Sequence, residues 1–290
     1  MTDPDADIDG DVYVFPRYLA GSTYTGDPAL EPLLALGWEL TYDDLANVYV
    51  TAPDRKIRLG YLPEGDDDGL WRINAYEDRF GPPTWGVTFN DQCPTEFVTA
   101  FTTALAAAYQ AGPEHYLAPP DPADLDAFHA AVPLINRGWK IQHPRWGVLE
   151  LQTPDGMAGI EYAQGRLDAE KELTTLQARW YLRGGPKSGY ARWYATASTN
   201  TPTPLVTAIT ASVSDPAPLP RWKDQMLRGL RENAQLVSVT PPPPPVPTPL
   251  DVRRTAPRRA PALTTRSVPR WSTTTTPSAA LPARRSGPHR

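Results

Sequence analysis

Cys93 is the one cysteine in this 290-residue chain, and its position invites a chemical reading. It stands directly before Pro94, where the spacing of Phe97, Phe101, Leu105 and Ala108 predicts a helix over residues 94–111. Backbone N–H groups and the dipole at a helix N-terminus favour a thiolate, the nucleophilic and metal-binding form. A catalytic thiol also needs a base, and no motif places His115, His129 or His143 beside it. The competing reading makes Cys93 a cap-region residue, because the matching position further along the chain holds Thr201, an ordinary capping residue. We adopt that reading. Glu64, Asp66, Asp67 and Asp68 could hold a hard cation through oxygen ligands, but Gly69 comes too early for a calcium loop and no closing Glu follows. A solvated turn accounts for them, and for Asp168, Glu170 and Glu172 later on. Arg183 to Gly189 (RGGPKSG) lacks the order of a phosphate-binding loop and reads as a glycine-rich turn between strands. No catalytic residue, metal site or cofactor is assigned.

Aromatic residues are the other chemically capable set. Trp38, Trp71, Trp85, Trp139, Trp146, Trp180 and Trp193 fall at predicted strand positions. Stacked on a sheet, residues such as Trp71 and Trp180 could read single-stranded nucleic acid. Several recur in register, however, and repeated large apolar positions point to repeated core.

That recurrence reflects a duplication. Gly37-Trp38 returns as Gly138-Trp139, Pro53-Asp54 as Pro154-Asp155, and Leu59-Gly60-Tyr61 as Ile160-Glu161-Tyr162, all at an offset of 101. Trp85, Thr88 and Pro94-Thr95 return as Trp193, Thr196 and Pro202-Thr203 at an offset of 108. About seven residues have therefore been inserted in one connection, where loops accept them. Each copy is expected to run short helix, about five mainly antiparallel strands, C-terminal helix: an α+β fold in two tandem repeats. Asp27-Pro28 and Asp121-Pro122 open the first helices, and residues 202–213 form the second copy's later helix. Tyr13-Val14-Phe15 suggests an edge strand. Trp222, Met226, Leu230, Ala234 and Val237 recur at three- and four-residue steps, predicting one more helix from about Pro220. The expected boundaries are 1–12 flexible, 13–117 first repeat, 118–238 second repeat and 239–290 a disordered tail rich in Pro, Arg and Thr.

Charge is unevenly divided. From Pro241 onward there are nine Arg against one Asp, a net of +8, so the total of −5 leaves −13 on residues 1–240. An acidic body is poorly suited to gripping phosphate backbones. The tail holds 13 of the 35 prolines, including the run Pro241 to Pro245, and should be extended. Its paired arginines, Arg253, Arg254, Arg258, Arg259, Arg284 and Arg285, suit an aromatic-lined groove of a protein partner, or a nucleic acid. A single cysteine, an acidic N-terminus without an apolar run and no long apolar stretch together suggest a cytoplasmic protein that does not span a membrane. Five Lys against 23 Arg, with abundant Ala and Pro, suggests a GC-rich genome.

Tyr18-Leu19-Ala20-Gly21, Gly37-Trp38, Ala52-Pro53-Asp54, Leu59-Gly60-Tyr61 and the spacing from Trp85 through Thr88 to Pro94 form a pattern. It resembles an uncharacterised actinobacterial family of Streptomyces type, domain of unknown function 317, found in tandem copies. Gly138-Trp139, Pro154-Asp155 and Trp193 through Thr203 carry it in the second copy, which departs at Glu161 (for Gly60) and Pro204 (for Glu96). The resemblance implies a tandem α+β arrangement and passes on no catalytic residue. The expectation is a non-enzymatic interaction module with a protein partner. The alternatives are a nucleic-acid-associated accessory protein of a mobile element, or an enzyme with an unrecognised site between the repeats.

Overall fold

The computed structural model describes residues 10–65, 69–119, 126–142, 147–186 and 192–239. Residues 1–240 cluster as one compact unit and 241–290 as another; the second lies wholly outside the described residues.

In chain order the elements are β1 (Asp11–Phe15), α1 (Asp27–Leu34), β2 (Glu39–Tyr42), β3 (Val48–Thr51), β4 (Ile57–Tyr61), β5 (Trp71–Ala75), β6 (Trp85–Phe89), α2 (Thr95–Ala111) and α3 (Pro113–Tyr116). Then follow α4 (Asp126–Asn136), β7 (Lys140–Ile141), β8 (Val148–Gln152), β9 (Ala158–Ala163), α5 (Ala169–Thr174), β10 (Trp180–Gly184), β11 (Trp193–Ala197), α6 (Thr203–Ser214), β12 (Leu219–Trp222), α7 (Arg228–Arg231) and β13 (Gln235–Ser238). The fold is α+β, with two repeats. Each is a five-stranded antiparallel meander, because short turns carrying Pro-Asp or Asp-Asp return the chain beside itself.

The two meanders join edge to edge into one ten-stranded sheet, β2-β3-β4-β5-β6-β11-β10-β9-β8-β7. At the join Thr88 lies opposite Thr196, Val87 opposite Ala197 and Phe89 opposite Ala195. Under the repeat offset of 108, position 87 corresponds to 195 and 89 to 197, so the pairing maps onto itself. A pseudo-twofold axis therefore passes between Thr88 and Thr196, as at an isologous dimer interface. The residue after each central strand closes the ladder in matching fashion. Tyr194 N–H donates to Asn90 Oδ1 at 2.9 Å, and Gly86 N–H donates to Ser198 Oγ at 3.0 Å.

Four helices cover one face of the sheet in the mirrored order α1, α2, α6, α4. Between layers lies one core holding Trp71, Ile73, Trp85, Phe89, Phe97, Phe101, Leu182, Trp193 and Ile209. The copies pack alike, with Tyr61 on Trp71 at 4.6 Å and Tyr162 on Trp180 at 4.5 Å between ring centres.

They are also cross-tied. Tyr18, ahead of the first meander, donates its hydroxyl to Asp155 of the second at 2.8 Å, while Tyr116, ahead of the second, donates to Asp54 of the first at 2.7 Å. The other Oδ of each Asp shapes its own turn: Asp54 accepts from Lys56 N–H and Asp155 from Met157 N–H. The indoles follow the same exchange. Trp193 Nε1 donates to the Tyr18 carbonyl and Trp85 Nε1 to the Tyr116 carbonyl, both at 2.8 Å. Tyr116-Leu117-Ala118 is thus the counterpart of Tyr18-Leu19-Ala20, a match outside the two offsets found by sequence.

Three expectations are corrected. β1 begins at Asp11 and is the central strand of a separate sheet, β12-β1-β13, rather than an edge strand. The helix expected from Pro220 is instead β12, a 3-10 turn over Lys223–Gln225, the single-turn α7, and β13. Pro220 withholds a donor, and β1, at the other end of the described chain, supplies strand partners that outweigh local periodicity. Asp168 to Glu172 is not a polar loop: Asp168 Oδ1 caps α5 by accepting from Glu170 and Lys171 N–H. The connection holding α5 runs from 164 to 179, where its counterpart runs from 62 to 70, so the insertion lies here.

Candidate functional site

Burial decides the fate of the residues singled out by type. Cys93 is 1 % exposed, and its Sγ faces the Pro94 carbonyl at 3.8 Å. Burial, then the nearby Glu96 carboxylate, pushes the thiol well above its usual range, so it stays protonated. Desolvation outweighs the helix N-terminus here. Thr201 occupies the equivalent buried position, and each residue's N–H donates to the carbonyl three residues back at 3.1 Å. His115 is exposed with Glu114 3.8 Å away, and His129 is exposed. Trp71 and Trp180 are 1 % and 6 % exposed and belong to the core, as do Trp38, Trp85, Trp139 and Trp193. His143, Trp146, Asp66 to Asp68, and the tail arginines Arg253, Arg254, Arg258, Arg259, Arg284 and Arg285 fall outside the described residues. Among the described residues, no group of three or more His, Cys, Asp or Glu could hold a metal ion.

The sheet face opposite the four helices is where the copies part company. On the helix side, equivalent positions hold like residues: Trp71 and Trp180, Ile73 and Leu182, Trp85 and Trp193, Leu59 and Ile160. On the other side, Arg72 corresponds to Tyr181, Asn74 to Arg183, Gly86 to Tyr194, Gly60 to Glu161 and Tyr49 to Glu150. Only the Thr88 and Thr196 pair on the axis is retained. One row across this face therefore reads Thr41, Tyr49, Gly60, Arg72, Thr88, Thr196, Tyr181, Glu161, Glu150.

The two halves have different chemistry. In the second, Arg183 lies across Gly159 and bonds Glu150 Oε1 at 2.8 Å, with Glu161 Oε1 3.9 Å from its Nε. Tyr181 and Tyr194 stack at 6.0 Å, and the Arg192 guanidinium sits 5.9 Å from the Tyr181 ring centre. In the first, Arg58 is exposed and lies 4.6 Å from the Tyr76 ring centre, Tyr49 is exposed, and Arg72 and Asn74 are half-buried. The inserted α5 covers part of this half. Leu173 and Asn74 approach the glycine at 86 so closely that an added Cβ would meet both at 2.7 Å. Glu172, 6 % exposed, anchors α5 by accepting from Thr199 N–H and, at 2.6 Å, from Thr199 Oγ1. Sequence reasoning missed this face because its alternate positions are polar and look like ordinary solvated strand residues. Comparing the copies position by position was the signal available.

On the helix side, a groove of about 710 Å³ between α2, α4 and α6 is lined by Arg17, Asn136, Arg137, Ser212 and Asp215, and by neither Cys93 nor His115 nor His129. Among the described residues no helix is long and apolar enough to cross a membrane.

No curated protein and no solved structure matches the chain. A family model does, twice: residues 51–111 and 152–219 match SPDY, a domain of unknown function (DUF317). Both ends of the two stretches are related by the repeat offsets, 51 to 152 and 111 to 219, so the chain is similar to this family over corresponding parts of its two copies.

Proposed function

We propose that this protein is a non-enzymatic interaction module that offers the open face of its ten-stranded sheet to a protein partner. The observation that carries the reading is the change of chemical type between the copies on that face, where polar, charged and aromatic residues replace one another, whereas the helix side stays apolar in both. Packing demands apolar residues on the helix side, while on the other side Arg58 and Tyr49 are exposed and Arg72 and Tyr181 keep part of their surface in solvent. Guanidinium and tyrosine side chains are the types enriched in protein interfaces. A protonated, interior Cys93 speaks against a thiol mechanism. The reading takes 13–117 and 118–238 as the two copies. It adds the tail arginines, Arg253, Arg254, Arg258, Arg259, Arg284 and Arg285, as a second, cationic contact. It places the protein in the cytoplasm, which suits a lone unpaired cysteine.

The test is quantitative co-purification with the full chain, the double variant Arg58→Glu/Tyr181→Ala, and a chain ending at residue 239. Loss of specific partners with the double variant, while it melts like wild type, is the expected result. Unchanged partners with the double variant would refute the role of the face, and unchanged partners in the shortened chain would refute that of the tail. Arg58, Arg72 and Tyr49 together favour nucleic acid as the second reading, since bases stack on guanidinium and aromatic planes. It requires a steeply salt-dependent shift of single-stranded DNA that the Arg58→Glu change weakens.

A further inference from the structure

The two outer edges of the ten-stranded sheet are unlike, and the difference points to a second binding site, independent of the open face. At one end β7 is only two residues long and begins with Lys140, a combination that discourages further pairing. At the other end β2 is four residues long, and no strand among the described residues pairs with its outer side. Asp43 N–H donates to the Asn47 carbonyl, so residues 39, 41 and 43 direct their backbone groups towards β3. Leu40 and Tyr42 consequently turn their N–H and C=O outward, two donors and two acceptors on an open edge.

Beside this edge, beneath α1, runs an apolar groove of about 550 Å³ whose floor is Leu30, Leu34, Leu40, Tyr42 and Val48. Tyr42 is 67 % exposed, and Leu45 at the hairpin tip is 62 % exposed. The charges along this groove are of one sign: Asp27 and Glu31 line it, and among the described residues no cationic side chain does. Glu39 and Asp44 flank the strand and its turn.

We propose that the β2 edge takes up an extended, cationic segment of a protein partner as an eleventh strand. Backbone pairing would supply the affinity. Alternate side chains would fall on the helix side, apolar ones into the groove and Lys or Arg against Asp27 and Glu31. A second copy of this chain suits the edge poorly. Antiparallel self-pairing of β2 would bring the two sets of Glu31, Glu39 and Asp44 together, and like charges across strands are destabilising.

Fluorescence anisotropy with the full chain tests this, using the labelled Val/Lys peptide Val-Thr-Lys-Thr-Val-Thr-Lys-Thr, whose Val and Lys share one face, and its Val/Glu analogue with Glu in place of Lys. The Val/Lys peptide should bind saturably and at least tenfold more tightly than the Val/Glu peptide. Glu31→Lys should weaken it tenfold or more. Tyr42→Pro should abolish binding, because it removes an outward N–H while leaving the bonds to β3. Lys140→Glu at the opposite edge should change nothing. Absence of binding, equal binding of both peptides, or wild-type affinity in Glu31→Lys would overturn the proposal. So would a dimer in sedimentation that Tyr42→Pro dissociates, which would assign the edge to a second copy.

Discussion

Tyr116 and Asp54 show how a single hydrogen bond can carry a connection between the copies. The Tyr116 ring is almost fully buried, and its hydroxyl has the Asp54 carboxylate as acceptor. Burial first, then the carboxylate, raises its ionisation well above the usual tyrosine range, and Tyr18 with Asp155 behaves alike. A raised folded-state value means that the neutral hydroxyl is favoured by folding. The stabilisation is complete below about pH 10, where the unfolded tyrosine is also neutral, and is lost as pH rises above that. Tyr116→Phe should therefore cost about 2 kcal/mol at pH 7, the usual worth of a hydrogen bond to a charged group. It should also flatten the loss of stability above pH 10, as urea melts at pH 7, 9 and 10.5 would show. An Asp54→Asn background in which Tyr116→Phe still costs the full amount would disprove the coupling. The Pro-Asp recurrence was visible in sequence as a turn signal. The outward task of each Asp was not, since its partner lies 62 residues away in one case and 137 in the other.

Among the elements, β10 and β5 are equivalent, yet they meet their neighbours differently. Ala75 lies opposite Trp85, whereas Gly184 lies opposite Trp193. A Cβ at 184 would stand 2.3 Å from Trp193 Nε1, the atom that bonds the Tyr18 carbonyl. Gly184→Ala should displace that indole and cost about 1–3 kcal/mol in chemical denaturation, as overpacking does. Ala75→Gly should cost less, about 1 kcal/mol, the entropic penalty of glycine in an element. Equal melting of wild type and Gly184→Ala would show that the indole can yield. Elements with strong apolar alternation, such as β4, β5, β6 and β9, were readable from sequence with their approximate limits. The elements that misled, β12, α7 and β13, are short and apolar at spacings that suit helix and strand alike, and their state was decided by β1.

For the molecule as a whole, the join at β6 and β11, the exchanged Tyr18 and Tyr116 segments and the β12-β1-β13 sheet all tie the first copy to the second. An ion pair with a buried guanidinium adds to them: Arg221 on β12 binds both oxygens of the half-buried Glu96 on α2 at 2.7 Å. Residues 1–240 should thus unfold in one calorimetric transition despite holding two copies. Chains 1–117 and 118–239 expressed apart should be insoluble singly and recovered as a one-to-one complex when produced together. Soluble, monomeric halves with native circular dichroism would contradict this.

The amino-acid order alone established that the chain holds two related α+β copies, where most strands and the long helices lie, and that the insertion falls in one connection. Those properties come from local periodicity and turn chemistry, which neighbouring residues dictate. Whether the sheets join, which segments cross between copies, which face is left open and which edge stays unpaired were decided only in three dimensions. They depend on hydrogen bonds and packing between residues 200 positions apart and more, whose free energy no local pattern encodes.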